Sequence, residues 1–401
     1  MLAQCRRRNG YTSHVKRLIV PSVALLFAAL GTIVVPRTGL FAGNAALTVP
    51  AGFEIETIAH VDRPRELAVT RNGDLLVGTG GSAVSIVANA TGTPAKPAIF
   101  ATLPDREAAG VTLAPNALYV GTFNGVWRVP YTPGDRIASG TPTKIATVRP
   151  GGGRGHSTTS VAIAGERLYA SVGSSCNVCD ETDATRATIQ EMSPDGRDMH
   201  ARATHIRNAI ALAVDPRTKA LWAGVAGQDE LEHGHPYEIF DDVSARPGTP
   251  NYGWPLCYEN HRAVDGKHDC ATQAVARVVF PAYETPIGAA FYHVPSGAAH
   301  AFPAAYRDGA FVALHGSWHT PPVPPRVVFI PIENDAPAIA VDWNDPTKQW
   351  RTFVDGFQRS DGSRAGRPTG VAVASDGSLF VADDDANAIY RIRPATQHEH
   401  R

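Results

Sequence analysis

The chain has 401 residues, of which 43% are hydrophobic and 19% are charged, the balance of an ordinary globular protein. It carries 37 Lys and Arg residues against 38 Asp and Glu residues, and this near-neutral charge excludes the strongly basic surface that nucleic acid binding needs. The 37 glycines and 31 prolines favour a fold with many turns and few helices.

Residues 1–45 differ in composition from the rest of the chain. Five Lys and Arg residues within positions 6–17 precede the uncharged apolar run Leu18–Val35, and small residues follow at Ala42–Ala46. That order is typical of a secretory signal peptide, and the run is also just long enough for a membrane anchor. We therefore predict a signal peptide or N-terminal membrane anchor over residues 1–45, and a periplasmic or secreted protein.

The remainder is predicted to be one acidic domain with a short tail. Without residues 1–45 the chain keeps 31 basic and 38 acidic residues, a net charge of about −7 that favours solubility. Residues 46–394 carry the repeats described next. Residues 395–401 are polar and are predicted to be a disordered tail.

Residues 46–394 repeat one pattern six times, in which an apolar run, a turn and a second apolar run follow each other. The turns with their second runs are Asn72–Val77, Asn116–Val120, Gly165–Tyr169, Arg217–Trp222, Asp308–Val312 and Asp376–Phe380. A period of about 40–50 residues with a strand–turn–strand core is typical of a β-propeller. We predict an all-β, six-bladed β-propeller, with a strand over Leu47–Ile58 that helps close the ring.

Four cysteines lie within the predicted propeller. Because an even number in an exported protein indicates disulfides, we predict the pairs Cys176–Cys179 and Cys257–Cys270 from their proximity. A redox-active or metal-binding pair is the alternative for Cys176–Cys179.

Several polar residues occupy the same position in different repeats, just before the first strand. Arg63, Arg207 and Arg367 align there, Thr285 takes the place in the fifth repeat, and His156 takes it within one residue in the third. Since these loops open near the axis of a propeller, we expect one cluster at a channel mouth. Guanidinium groups suit carboxylates, and a histidine can move a proton, so the cluster predicts a site for a small polyanion. The alternative is that each arginine forms a structural ion pair.

A set of short motifs resembles a known family. The motifs are Gly155-His156, Leu168–Asn177, Arg207-Asn208, Asn251–Pro255, Leu314–Trp318 and Gly366–Val371. In this order they are similar to the soluble pyrroloquinoline quinone (PQQ)-dependent glucose and sorbosone dehydrogenases, and most of all to the sorbosone dehydrogenase branch. The resemblance covers roughly residues 50–394 and implies a six-bladed propeller that uses PQQ, a tricarboxylate.

The resemblance also implies roles for individual residues. His156 would be the general base that removes the substrate hydroxyl proton while hydride passes from the sugar C1 to C5 of PQQ. Arg207 would polarise the reacting quinone oxygen, with Asn208 beside it. Arg367 would hold a PQQ carboxylate and Thr285 would contact the cofactor.

A Ca²⁺ ion is implied as a second cofactor. It would bind backbone carbonyls at about Gly227 and Gln228, and Glu238 resembles a further acidic position of the family. This chain departs from the glucose enzymes at Gly155, where those enzymes have an acid before the histidine.

The sequence thus predicts a PQQ-dependent oxidoreductase that oxidises an aldose or a sugar aldehyde such as sorbosone. Its predicted partners are a small sugar and an electron acceptor that is a quinone or a cytochrome. Two alternatives stay open: a six-bladed lactonase or hydrolase with a central metal, and a non-catalytic propeller that binds a ligand.

Overall fold

The structure is a computed structural model that describes residues 47–232, 234–319 and 322–396. The predicted signal peptide or anchor, residues 1–45, lies outside the described residues, as does most of the predicted tail. Within the described ranges, the chain has no helix of the length and hydrophobicity that a membrane crossing requires.

The described chain is almost entirely β-strand, with one short 3₁₀ turn at Ala304–Tyr306. The strands in chain order are β1 (Phe53–His60), β2 (Pro64–Val69), β3 (Leu75–Thr79), β4 (Ala83–Val87), β5 (Ala98–Thr102), β6 (Gly110–Ala114), β7 (Ala117–Thr122), β8 (Gly125–Pro130), β9 (Thr143–Thr147), β10 (Val161–Ala164), β11 (Arg167–Val172), β12 (Thr188–Met192), β13 (His200–Ala203), β14 (Ala209–Val214), β15 (Leu221–Val225), β16 (Glu238–Asp242), β17 (Cys257–Tyr258), β18 (Arg262–Ala263), β19 (Val278–Phe280), β20 (Pro286–Tyr292), β21 (Gly309–Leu314), β22 (Arg326–Glu333), β23 (Ala336–Pro337), β24 (Arg351–Val354), β25 (Pro368–Val373), β26 (Leu379–Asp383) and β27 (Ala388–Pro394).

These strands form six antiparallel blades around one axis. The blades are β2–β5, β6–β9, β10–β13, β14-β15-β16-β19, β20-β21-β22-β24 and β25-β26-β27-β1. The first strand of each blade contacts the first strands of both neighbouring blades, so the inner strands complete a ring. The predicted six-bladed β-propeller is confirmed.

The ring closes through β1, which pairs antiparallel with β27 and so joins the start of the domain to its end. This strand begins at Phe53, later than the predicted start at Leu47. The reason is a turn in which the Phe53 amide donates to the Pro50 carbonyl at 3.1 Å. Thr48 instead bridges to Asp355.

Packing between neighbouring blades provides the core. In β3, β7, β15, β21 and β26, the second strands of five blades, every residue is buried, because the strand lies between two adjacent sheets. Six apolar clusters fill the spaces between neighbouring blades, such as that of Phe311, Phe353 and Val371 between the fifth and sixth. Burial of this apolar surface is the main favourable term in folding.

Both predicted disulfides are formed. Cys176–Cys179 closes a four-residue ring in the β11–β12 loop, and Cys257–Cys270 ties together the long loop between β16 and β19 that also holds the β17–β18 hairpin. Disulfides of this kind indicate folding in an oxidising compartment, extracellular or periplasmic.

Candidate active site

Two sets of loops open on the same face of the propeller. One set precedes the first strand of each blade, and the other joins the second and third strands. Between the first strands lies a central cavity of about 260 Å³. The sequence-predicted residues sit in these loops, so the topology brings distant parts of the chain to one end of the axis.

His156 is held in a defined orientation by Ser174. Its Nδ1 lies 3.1 Å from the Ser174 carbonyl oxygen and 3.0 Å from Ser174 Oγ. Because the Ser174 hydroxyl donates its own proton to the Cys176 carbonyl at 2.7 Å, both neighbours of Nδ1 act as acceptors. Nδ1 therefore carries the proton, and Nε2 carries a lone pair.

The electrostatic surroundings keep His156 neutral. Burial, together with the nearby guanidinium groups of Arg207, Arg149 and Arg186, lowers its pKa to about 4, although the hydrogen bond to Ser174 acts in the opposite direction. At neutral pH the imidazole is a base with its acceptor nitrogen available.

Glycines allow the backbone to bring His156 into place. Gly155 has φ +91°, and a Cβ there would collide with the Ser175 backbone. A Cβ on Gly173 would collide with Asn208 Oδ1 and with His156 Cβ. This chain therefore has no room for a side chain before His156, and Asn208 lies beside the histidine across Gly173.

Arg207 is buried and fully hydrogen-bonded within the chain. Its Nε donates to the Asn177 carbonyl at 3.2 Å, and its terminal nitrogens donate to Asn177 Oδ1 at 2.9 Å and to the carbonyls of Ala226 and Gly227. Asp229 completes the set with a salt bridge at 3.3 Å. Burial lowers the pKa of Arg207, yet the group stays cationic, since arginine starts from 12.5.

A second group of arginines surrounds the buried side chain of His315. Arg65 pairs with Asp384 at 2.7 Å, Arg367 Nε donates to the His315 carbonyl at 3.4 Å, and Arg364 donates to the carbonyls of His315 and Ser317. Among the described residues, neither Arg364 nor Arg367 has a carboxylate within 4 Å. We call Arg65, Arg364 and Arg367 the arginine cluster; among the described residues only Arg65 forms a salt bridge, while Asp384 and Asp385 attract Arg367 from beyond that distance.

His315 adds no charge to that cluster. Its Nδ1 donates to the Pro368 carbonyl at 2.9 Å, and burial together with Arg367 and Arg65 lowers its pKa well below the usual value. Its amide donates to the Thr285 carbonyl at 3.0 Å, which places Thr285 at the same centre.

The arginine cluster and the His156 loop are directly connected. Arg65, whose other nitrogen pairs with Asp384, donates to Thr158 Oγ1 at 3.3 Å, two residues after His156. Contacts therefore run across the hub from His156 to Arg367. His156, Arg207, Thr285 and Arg367 are all brought to this end of the axis, as their shared position in the repeats predicts, and Asn208 lies there beside Arg207.

Arg63 is the exception. Its side chain is 58% exposed and its carboxylate partner is Asp62 at 3.6 Å, at the rim of the first blade. Both Arg63 and Thr285 have positive φ, 41° and 53°, so their backbones match even though their side chains do not converge. Arg65, two residues later, occupies the central place that the alignment assigns to Arg63.

The residues predicted to hold calcium lie next to Arg207, with Gly227 and Gln228 in the loop after β15 and Glu238 at the start of β16. Glu238 is buried and accepts from the amides of Gly227 at 2.6 Å and Tyr283 at 3.1 Å, and burial raises its pKa to about 8. Gln228 is also buried, 7% exposed. The Gly227 carbonyl accepts from Arg207, so a cation at this oxygen would share it with a guanidinium group.

An aromatic stack borders the site on the side of blade five. The rings of Tyr283 and His319 stack at 3.7 Å, and Trp318 stacks on His319 at 4.4 Å. Trp318 is 74% exposed, and His319 Nε2 lies 3.7 Å from Asp229 Oδ1. The stack therefore presents an indole surface within reach of the residues that hold Arg207.

Comparison with known proteins decides the family. The sequence model of the TrAA12-like family matches residues 47–269 and 254–395, nearly all of the described propeller. The chain belongs to the TrAA12-like family. This is a family of PQQ-dependent sugar dehydrogenases, so the predicted relationship is confirmed and the chain is an oxidoreductase of that kind.

Solved structures share the TrAA12-like fold. The PQQ domain of Coprinopsis cinerea pyranose dehydrogenase, in its holo form, superposes with a TM-score of 0.74 at 16% identity, covering 88% of this chain and 98% of that one. A calcium structure of the Trichoderma reesei family AA12 enzyme gives 0.73 at 19% identity, with the same coverage. The PQQ-bound aldose sugar dehydrogenase of Streptomyces coelicolor gives 0.59 at 19% identity, covering 86% and 99%.

For this TrAA12-like chain, sequence reasoning missed several residues at the centre. Arg65, Arg364, Asn177 and His315 receive no individual role from the sequence alone. Asn177 and His315 lie inside the motifs that carry the family resemblance, which was the available signal. Arg65 and Arg364 stand near the aligned arginines, but only the folded loops show which side chains turn inward.

Proposed function

We propose that this protein is a PQQ- and Ca²⁺-dependent dehydrogenase that oxidises an aldose or a sugar aldehyde at C1. The observation that supports it most is the juxtaposition of a neutral His156, whose Nε2 is an acceptor, with an arginine cluster that lacks enough acids. A proton acceptor beside an unneutralised cationic pocket suits the oxidation of a hydroxyl group with an anionic cofactor.

The arginine cluster has the chemistry to hold PQQ. Its three guanidinium groups present planar donors that match carboxylates, and PQQ carries three of them. Asp384 offsets one of the three charges, so a bound polyanion would relieve the remaining repulsion. We assign Arg65, Arg364 and Arg367 to the cofactor carboxylates, with Thr285 and Asn208 beside them. Arg63 stays a candidate at the rim.

His156 removes the proton in this proposal. Its Nε2 accepts the proton of the substrate hydroxyl group, while Ser174 keeps Nδ1 protonated and the ring oriented. PQQ supplies, when bound, a quinone that accepts the hydride from the substrate carbon. Arg207, held by four neighbours, contributes a fixed positive charge next to the reacting groups without having to reorganise.

The proposed calcium site consists of Gly227 and Gln228, in the loop after β15, and Glu238, at the start of β16. Backbone carbonyl and carboxylate oxygens are the donors that Ca²⁺ prefers. Because the Gly227 carbonyl also accepts from Arg207, calcium and the guanidinium group share one side of the site. We therefore expect calcium affinity to depend on the bound anionic cofactor.

The substrate side fits a sugar. The exposed indole of Trp318 can stack on the apolar face of a pyranose ring, and Asp229 offers a carboxylate that accepts from sugar hydroxyl groups. A sorbosone-like sugar aldehyde, reacting in its hydrated or cyclic form, presents the same hydroxyl chemistry at C1.

Reconstitution tests the proposal. The purified protein, stripped of metal and cofactor, is incubated with PQQ and Ca²⁺, and dye reduction is followed with a panel of aldoses and sugar aldehydes. We expect turnover that needs both additions and that His156→Ala abolishes, whereas the control His200→Ala, an exposed histidine at the start of β13, leaves it intact. Turnover that needs no PQQ, or none with any sugar, would refute the proposal.

A further inference from the structure

The disulfide ring of residues 176–179 lies between the two proposed catalytic groups. Ser174, which orients His156, donates its hydroxyl proton to the carbonyl of Cys176 at 2.7 Å. Asn177, inside the ring, accepts from Arg207 at its carbonyl at 3.2 Å and at its Oδ1 at 2.9 Å. One covalently closed ring therefore contacts the support of the base and the guanidinium group itself.

Asn177 joins its own loop to three other segments of the site. Besides Arg207, its carbonyl accepts from Trp254 Nε1 at 3.1 Å, and its Oδ1 accepts from the Asp229 amide at 2.8 Å. Its Nδ2 donates to the Asp229 carbonyl at 3.0 Å. Because Asp229 also forms a salt bridge with Arg207, Asn177 fixes the guanidinium group both directly and through its carboxylate partner.

The Cys176–Cys179 disulfide explains how Asn177, a loop residue, can hold the Arg207 guanidinium group in place. The segment between β11 and β12 runs from residue 173 to 187 without a strand, so its backbone order must come from other contacts. The two cysteines are only half-buried and Val178 between them is 51% exposed, so packing alone does not fix the ring. The covalent closure limits the conformations that Asn177 can adopt.

We propose that Asn177 is a positioning residue for Arg207, and that the Cys176–Cys179 disulfide keeps Asn177 in place. The inference rests on the proposed dehydrogenase function and adds a requirement to it: the ring must be closed for full turnover. Since none of the hydrogen bonds of Arg65, Arg364 and Arg367 among the described residues goes to this ring, opening the ring slows the reaction but leaves cofactor binding nearly unchanged.

Paired variants of the full protein test the proposal. Thiol reductants also reduce quinones, so the ring is opened by Cys176→Ser together with Cys179→Ser. The matched control removes the other disulfide by Cys257→Ser with Cys270→Ser. We expect kcat to fall about 10- to 100-fold in the first variant, the size of effect that a misplaced catalytic group causes. The expected change in KM and in PQQ affinity is less than about threefold, and the control is expected to keep kcat within the same factor.

Single variants separate Asn177 from the disulfide. Asn177→Ala removes the side-chain bonds to Arg207 and Asp229 but leaves the backbone carbonyl, so we expect kcat to fall about tenfold. Asn177→Asp keeps an acceptor oxygen for Arg207 and is expected to recover part of that loss. Equal kcat in wild type and the ring-opened variant, or a loss in Asn177→Ala that Asn177→Asp does not recover, would overturn the proposal.

A readout that needs neither PQQ nor sugar distinguishes this proposal from the function itself. Hydrogen–deuterium exchange over residues 226–229 reports the protection of the Asp229 amide, which donates a hydrogen bond to Asn177 Oδ1. We expect faster exchange there in Asn177→Ala and in the ring-opened variant, but not in the Cys257/Cys270 control. If the variants exchange faster but the wild-type protein shows no turnover with any sugar, the dehydrogenase function is refuted and the positioning role is kept. If exchange is the same in the variants and the wild type, the positioning role is refuted.

Discussion

The site has two cationic regions that are built in opposite ways. In one, Arg207 is saturated by Asn177, Ala226, Gly227 and Asp229, and each of its donors has a partner from the chain. In the other, Arg364 and Arg367 reach only backbone carbonyls and have no carboxylate of their own among the described residues. An arginine whose N–H donors all have partners in the chain is held in a fixed position. An arginine with free N–H donors and no carboxylate partner can bind an anionic ligand.

The two histidines follow the same division. His156 and His315 both donate Nδ1 to backbone carbonyls and both are kept neutral by burial and by arginines. His156 lies toward the saturated Arg207, where its neutral Nε2 can act as a base. His315 lies within the arginine cluster, where a neutral ring avoids adding to the repulsion. We therefore propose that the first region carries out the chemistry and that the second binds the cofactor.

Removing the base gives the largest expected effect. His156→Ala is expected to lower kcat by about 10²- to 10⁴-fold, the usual contribution of a positioned general base. PQQ affinity is expected to stay the same, because the binding charges belong to the other region. Steady-state dye reduction and a PQQ titration on the same preparation measure both quantities. If His156→Ala instead loses PQQ affinity and keeps its kcat, His156 belongs to cofactor binding and is not the base.

Removing charge from the arginine cluster should give the reverse pattern. Arg367→Ala deletes a hydrogen-bond donor to a charged ligand, worth about 1.5–3 kcal/mol, so the PQQ dissociation constant is expected to rise roughly 10- to 100-fold. At saturating PQQ, kcat is expected to recover. Arg277→Ala, an arginine paired with Asp242 away from the site, serves as the control. Affinity unchanged in Arg367→Ala would mean that the cluster does not bind the cofactor.

Arg63 and Arg65 sharpen the boundary of that cluster. Arg65 lies at the centre and Arg63 is exposed at the rim, so Arg65→Ala is expected to weaken PQQ binding at least about tenfold and Arg63→Ala less than about threefold. Equal losses would show that the rim arginine also reaches the cofactor, as the sequence alignment alone predicts.

The pH dependence gives the smallest and most specific effect. In the proposed reaction His156 works in its neutral form, and because its pKa is lowered to about 4, that form persists as the pH falls to that value. We expect kcat/KM to keep most of its value at pH 5 and to drop below about pH 4. An acid limb near 6.5, the ordinary value for histidine, would mean that His156 is solvated or is not the base.

The sequence predicted the fold well because a propeller repeats its signals. Six turns, each between two apolar runs, predict six blades, and the close spacing of the cysteines predicts both disulfide pairs. The late start of the closing strand was missed because the turn at Pro50 shifts it to Phe53. The aligned loops also predicted that His156, Arg207, Thr285 and Arg367 converge.

What the sequence could not predict is the direction of individual side chains. Arg63 and Arg65 are two residues apart, and a register shift between Pro64 and Leu67 helps decide which one turns inward. The role of Asn177 depends on contacts with Asp229 and Trp254, which lie 52 and 77 residues away. Such contacts come from loop packing and leave no periodic pattern.

One measurement tests the central claim most directly: an absorbance titration of PQQ into the metal- and cofactor-free protein, carried out side by side with Arg364→Ala/Arg367→Ala. The account predicts saturable binding by the wild-type protein and binding at least about 100-fold weaker in the double variant, with thermal stability retained. Equal binding by both proteins, or none by the wild type in the presence of Ca²⁺, would contradict it.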